Sequence, residues 1–196
     1  MAFQVCSGNE VENALAFSES YPMNRLRRFG LLLGIAVIGI CTGCDKPPAP
    51  PTGSTINSGE PTEAQPKLKT MKLWLGAEEM ITEVARTPMQ QHVGMMFRTN
   101  MAENTGMLFP LPATDQASFW MKNCPLPLSI AYIDPEGVIQ EIHDLEPHNT
   151  NAVLSASDNI RFALETPQGW FGRHQIHQGM VVRTEHGSLM ETFFGK

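Results

Sequence analysis

Positive charge is scarce in this 196-residue chain: 14 Lys and Arg face 20 Asp and Glu, for a net charge of −6. That excludes a nucleic-acid binder whose affinity comes from neutralising phosphates. Long apolar runs are scarce too. The most prominent, Phe29 to Ile40, falls short of the roughly 20 residues a bilayer-spanning helix needs. Cysteines number only four, at 6, 41, 44 and 124, which could form at most two disulfides. Residues 68–196 contain no Gly-x-Ser-x-Gly, no glycine-rich phosphate loop and no Cys-x-x-Cys, so serine-hydrolase, nucleotide-loop and thiolate-metal signatures are all missing. Internal repeats and long amphipathic helices are also lacking. What is present is a 42% hydrophobic content with 10 Phe, enough to exclude a wholly disordered chain. The 15 Pro and 16 Gly predict many turns.

The N-terminal third carries an address. Asn24-Arg25-Leu26-Arg27-Arg28 is cationic, the apolar run follows, and Cys41-Thr42-Gly43-Cys44-Asp45 closes it. A basic stretch, a short apolar core and small residues before a cut form a secretory signal. The small residues ahead of Cys44 resemble a bacterial lipobox, which implies cleavage before Cys44 and lipidation of its thiol. Two or more acyl chains anchor a protein stably where one does not. Asp45 resembles the inner-membrane retention signal of enteric lipoproteins. The expected location is the cell envelope, facing the periplasm, with the membrane as a partner through the anchor. Residues 1–22 oppose this signal with Glu10, Glu12 and Glu19. They read as an upstream extension, with Met23 as the start and 23–43 as the signal peptide.

Residues 44–67 form the lipidated Cys and a linker. Pro47, Pro48, Pro50 and Pro51 lead into Thr, Gly, Ser, Asn and Glu, and Ile56 is its one sizeable apolar residue. Such a segment has no core and holds the domain beyond it off a surface. The domain is residues 68–196, with 9 Lys and Arg against 14 Asp and Glu. Once Cys6 and Cys41 are removed and Cys44 is lipidated, Cys124 is the one thiol left, so an oxidising compartment implies no disulfide framework.

The domain reads as mainly β. Leu68 to Leu75 and Met80 to Ala85 form a hairpin. Thr87-Pro88 is an N-cap followed by proline, starting a short helix that Gly94 stops near Val93. Met107 to Phe109, Ser118 to Met121, Ser129 to Ile133, Val138 to Ile142, Ile160 to Glu165 and Met180 to Arg183 follow as strands, with a last one near Met190 to Phe194. Asp134-Pro135-Glu136-Gly137 suits a type I turn. The expectation is a single β-sandwich or barrel-like domain with one or two short helices.

Three phrases stand in order: Gly94-Met95-Met96-Phe97-Arg98, Gly106-Met107-Leu108-Phe109, and Phe119-Trp120-Met121-Lys122-Asn123 before Pro125-Leu126-Pro127-Leu128. With Leu164-Glu165, Gly169 and Ile176-His177-Gln178-Gly179, they resemble the bacterial and archaeal family called domain of unknown function 192, over about 68–182. The resemblance implies a compact β fold and brings no activity. Cys124 stands where that family commonly has Thr, and Ser129 where it commonly has Asp.

Alternation along a strand would put Phe119 and Met121 on one face and Trp120 and Lys122 on the other. Arg98, Trp120, Lys122, Asn123 and Glu165 are then candidates for a binding surface. Trp120 supplies a flat apolar platform, Arg98 a fork for a carboxylate or phosphate, and Asn123 an amide. The competing expectation is structural, with Arg98 or Lys122 paired to Glu165 and Trp120 in the core. Met89, Met95, Met96, Met101, Met107 and Met121, with His92, raise a Cu(I) alternative, though Met also fills cores. His174 and His177 could be neighbours on a helical turn. Cys124 with His143 or His148 would imitate a Cys–His dyad. These residues together suggest an envelope lipoprotein that binds an unknown small molecule or protein, with no cofactor and no resident metal. An enzyme acting on envelope material through Arg98, Lys122, Asn123 and Glu165 is the rival.

Overall fold

The computed structural model describes residues 60–195, so the signal, the Cys44 lipidation site and most of the linker lie outside the described residues. Residues 60–69 hold no helix or strand, yet they touch the domain. The Gln65 amide donates to the carbonyls of Gln90 and Gly94 at 3.0 and 2.9 Å.

β1 (Thr70–Leu75) and β2 (Glu78–Val84) form the antiparallel hairpin read from the sequence. α1 (Pro88–Val93) starts where proline pre-sets the backbone. Its capping box is complete: the Thr87 hydroxyl accepts from the Gln90 N–H at 3.2 Å, and the Gln90 carboxamide oxygen accepts from the Thr87 N–H at 3.0 Å. Gly94, at φ 46°, ends the helix in a backbone region that side chains disfavour. β3 (Thr105–Asp115) runs parallel to β2 and is longer than the apolar triplet suggested, carrying Pro110 and Pro112 at an irregular stretch of its pairing. β4 (Ser118–Phe119) pairs with β7 (Val153–Leu154) in a separate ribbon. β5 (Leu128–Ile133) and β6 (Ile139–Leu145) flank the expected turn, in which the Gly137 N–H reaches the Asp134 carbonyl at 3.0 Å. β8 (Ile160–Pro167), α2 (Trp170–Arg173), β9 (Val182–Thr184), β10 (Gly187–Ser188) and α3 (Leu189–Phe194) complete the order.

The main sheet has eight strands in the order β10-β9-β1-β2-β3-β8-β5-β6. It curls into a half-barrel. Val138 bridges Val181, and the Ile139 N–H donates to the Met180 carbonyl at 2.9 Å, so the two ends of the sheet meet at one corner. The fold is thus mainly β, with three short helices rather than one or two. Two of these were not placed from the sequence: α2, and α3, which the apolar pattern of 190–194 suggests as a strand. Ser188 and Glu191 form a second capping box there, and the local hydrogen bonds favour helix. Among the described residues no helix is long and apolar enough to cross a membrane.

The sheet buries both faces. Leu73, Leu75, Met80, Leu108, Phe162, Leu164, Trp170 and Val182 form one cluster. The opposite face of β3, β8 and β5 presents Met107, Phe109, Ile130, Tyr132 and Ala163, packed against Phe119, Met121 and Cys124. That double burial explains why β5 is buried throughout rather than alternating.

Candidate functional site

The candidate residues fall into three places rather than one surface. Phe97 and Asn123 both take left-handed backbone, at φ 60° and 57°. The Phe97 N–H donates to the Asn123 carbonyl at 2.7 Å. This bond ties the segment after α1 to the segment after β4, and so places Arg98 and Trp120 on neighbouring loops.

Arg98 reaches β2. Its Nη1 and Nη2 donate to the two oxygens of Glu83 at 2.7 and 2.8 Å, a bidentate pair. The two side chains are 13% and 15% exposed, so the pair is largely out of water. Glu83 Oε2 also accepts from the Leu68 N–H at 2.7 Å. Arg98 Nε is buried with no partner among the described residues. Beside this pair a cleft of about 210 Å³ opens, with Thr105 and Asn100 on its walls and Met95, Met101 and Gly106 also lining it.

Trp120, Lys122 and Asn123 do gather, around a void of only about 10 Å³, too small to hold more than about one water. β4 ends at Phe119, but the alternation continues into the turn: Phe119 and Met121 are buried, and Trp120 and Lys122 are half-buried. Lys122 Nζ lies 5.5 Å from the centre of the Trp120 ring and 2.6 Å from Glu60 Oε2. The lysine's hydrogen bond holds the Glu60 carboxyl below its ordinary range. Trp120 packs with Val93, Met96 and Phe97, and its indole N–H is buried without a partner among the described residues.

Glu165 does not belong to a surface: it is fully buried. It sits on β8 opposite Met107 of β3 and Ile130 of β5, two residues from Ala163, and so faces the cluster with Phe109, Met121 and Cys124. Neither Arg98 nor Lys122 pairs with it, because each has a nearer carboxylate in Glu83 and Glu60. Both Glu165 oxygens lack a hydrogen-bond partner among the described residues. Burial pushes its carboxyl up to about 8, so it is mostly neutral at pH 7.

Cys124 is a free, buried thiol. Burial first, and then the Glu165 charge, push it up to about 11, which opposes nucleophilic use. Neither expected dyad forms. The His143 ring meets Glu141 at 2.7 Å, and His148 meets Cys124 through the backbone. His174 and His177 share no helix either. His174 ends α2 and stacks on Trp170 with ring centres 4.4 Å apart, while His177 lies beyond it. The methionines divide: Met95, Met107 and Met121 join Cys124, Met96 sits elsewhere, and Met89 is 52% exposed. His92 lines surface cavities. Among the described residues no three His, Cys, Asp or Glu side chains could hold a metal together.

The family model for domain of unknown function 192, described as an uncharacterized ACR, matches residues 72–184, more than half of the chain. The chain belongs to this family. Two solved structures resemble this domain of unknown function 192 protein. One, a proposed transcription regulator from Sinorhizobium meliloti 1021, is 28% identical with a TM-score of 0.58, over 62% of this chain and 98% of the other. The second, a protein of unknown function from Novosphingobium aromaticivorans, is 27% identical with a TM-score of 0.56, over 61% and 90%. No curated protein matches the chain.

Glu83 is the site residue that sequence reasoning missed. It alternates with buried Thr82 and Val84, so it falls on the outward face of β2, where a charge is ordinary and no local pattern marks it.

Proposed function

We propose that this domain of unknown function 192 protein is an envelope lipoprotein, held at the membrane through lipid on Cys44, whose domain binds a small molecule or partner. The observation that carries the binding role is the Arg98 cleft. A largely buried Arg98–Glu83 ion pair borders about 210 Å³ of open space that Thr105 and Asn100 also line. Polar groups placed in a concavity are how small-ligand sites set orientation. Arg98 would position an acidic or carbonyl group there, while Met95 and Met101 would contact an apolar part.

The support for lipidation is the order of the basic stretch, apolar run, small residues and Cys44. A transcriptional role like that proposed for the S. meliloti relative would call for a basic face, whereas residues 68–196 carry 9 Lys and Arg against 14 Asp and Glu. Thermal-shift screening of the full chain against sugars, nucleotides, peptides and small carboxylates tests the reading. A ligand should raise Tm in the wild type and lose most of that rise in Arg98→Met. A ligand whose shift is the same in both proteins would move the site away from the cleft.

A second reading has one observation behind it. The thioethers of Met95, Met107 and Met121 share a cluster with the Cys124 thiol, on the face where Glu165 lies unpartnered. Thioether and thiolate sulfur suit Cu(I), to which the hard Glu165 carboxyl would add nothing. Tight binding in a Cu(I) competition titration, lost in Cys124→Ser, would favour it. Binding no tighter than the unfolded chain would remove it.

A further inference from the structure

A second cavity lies away from the Arg98 cleft. It measures about 540 Å³ and is bounded by Pro88 and His92 of α1, Leu111 and Pro112 of β3, and Phe193 and Phe194 of α3. That volume is within the range of small-molecule sites. The α3 phenylalanines are held in place by Phe162, whose ring centre is 5.9 Å from Phe193 and 5.8 Å from Phe194. Even so, Phe194 remains 41% exposed, an apolar ring left at the rim.

Two guanidiniums flank those rings. Arg86 lies 4.7 Å from the centre of Phe193 and Arg161 lies 3.8 Å from that of Phe194. Arg98 and Arg173 each hold a carboxylate. Arg86 and Arg161 hold none among the described residues, although acids outnumber bases in the domain. Arg161 is half-buried, and burial lowers its hold on its proton. A guanidinium that is partly desolvated and not neutralised attracts an anion more strongly than a hydrated one does. The nearby Gln91 amide is already committed to the carbonyls of Ala85 and Pro110, at 3.1 and 2.6 Å. Arg86 lines the cavity, and Arg161 adjoins it beside Phe194, so the nearest charge is cationic.

We propose that this cavity binds a small amphiphilic anion: a flat apolar body lies against Phe193, Phe194 and the proline walls, and its acidic head meets Arg86, with Arg161 adding positive charge from beside Phe194. This site is separate from the Arg98 cleft, so its failure leaves the proposed function standing.

The test uses naphthalene-2-sulfonate and its neutral partner naphthalene-2-sulfonamide, titrated into the full chain by calorimetry. The two share a body and differ in the head. The sulfonate should bind one to one, at least about tenfold tighter than the sulfonamide. Arg86→Gln with Arg161→Gln should make the two affinities equal. Phe194→Ala should weaken both, and Arg183→Gln, an exposed cation elsewhere, should change neither. Thermal melts check that each variant is folded. If the double variant unfolds, Arg86→Gln alone, at an exposed position, should still reduce the preference for sulfonate. No binding in the wild type, equal affinity for the two probes, or an undiminished sulfonate preference in folded arginine variants would overturn the proposal.

Discussion

Replacing Glu165 by glutamine should change how stability depends on pH. The native carboxyl is raised by burial from 4.5 to about 8. Between those values the folded protein keeps a proton that the unfolded chain has released. The native state then binds more protons than the unfolded state, so stability falls as pH rises. The contribution is complete below about 4.5 and has been lost above about 8. A rise from 4.5 to about 8 corresponds to roughly 5 kcal/mol. Glu165→Gln keeps the shape and removes the titration. Urea unfolding of both proteins from pH 5 to pH 8 measures the difference. The wild type should lose roughly 4 kcal/mol more than the variant over that interval. The other titrating groups are common to both proteins and cancel in the comparison. Parallel pH profiles would refute the reasoning and would mean that the carboxyl is solvated or partnered in solution.

Other substitutions probe the surroundings of the site. Arg98→Met should destabilise by roughly 3 kcal/mol, because it strands a largely buried Glu83 carboxylate. Adding Glu83→Leu should recover part of that loss, and a double-mutant cycle in urea reads the coupling. Gly106→Ala should cost about 1–3 kcal/mol, measured by the same unfolding. Its methyl would stand 2.7 Å from the Met80 sulfur and 2.9 Å from the Glu165 carbonyl oxygen, and backbone does not yield easily. Cys124 should resist a thiol-reactive disulfide reagent in the folded protein and react quickly in urea, since it is buried and its thiol is pushed up to about 11. Rapid labelling of folded protein would contradict the burial.

Local signals carried much of this fold. Thr87-Pro88 marked α1 because cap and proline act within one turn, and Asp134 to Gly137 marked a turn for the same reason. Near Met190 an apolar run was ambiguous between periods, and the Ser188 and Glu191 capping box decided for helix. Pairings between distant strands, such as β2 with β3 and the closing bridge of Val138 and Val181, leave no local trace. The site was legible as residue types and not as partnerships. Arg98 and Glu165 were singled out, but a sequence does not show that Glu83 lies nearer the guanidinium, or that β8 turns Glu165 toward Met107 and Cys124. Arg86 and Phe193 are far apart in the chain and meet only once α3 folds against the sheet.

The central claim is a binding domain tethered by lipid, and the tether can be measured directly. A bacterium expressing the wild-type chain and Cys44→Ser is labelled with a clickable palmitate analogue, and its extract is partitioned with Triton X-114. The wild type should carry label and enter the detergent phase, and Cys44→Ser should lose the label. Wild-type protein that is unlabelled and remains in the aqueous phase would contradict it.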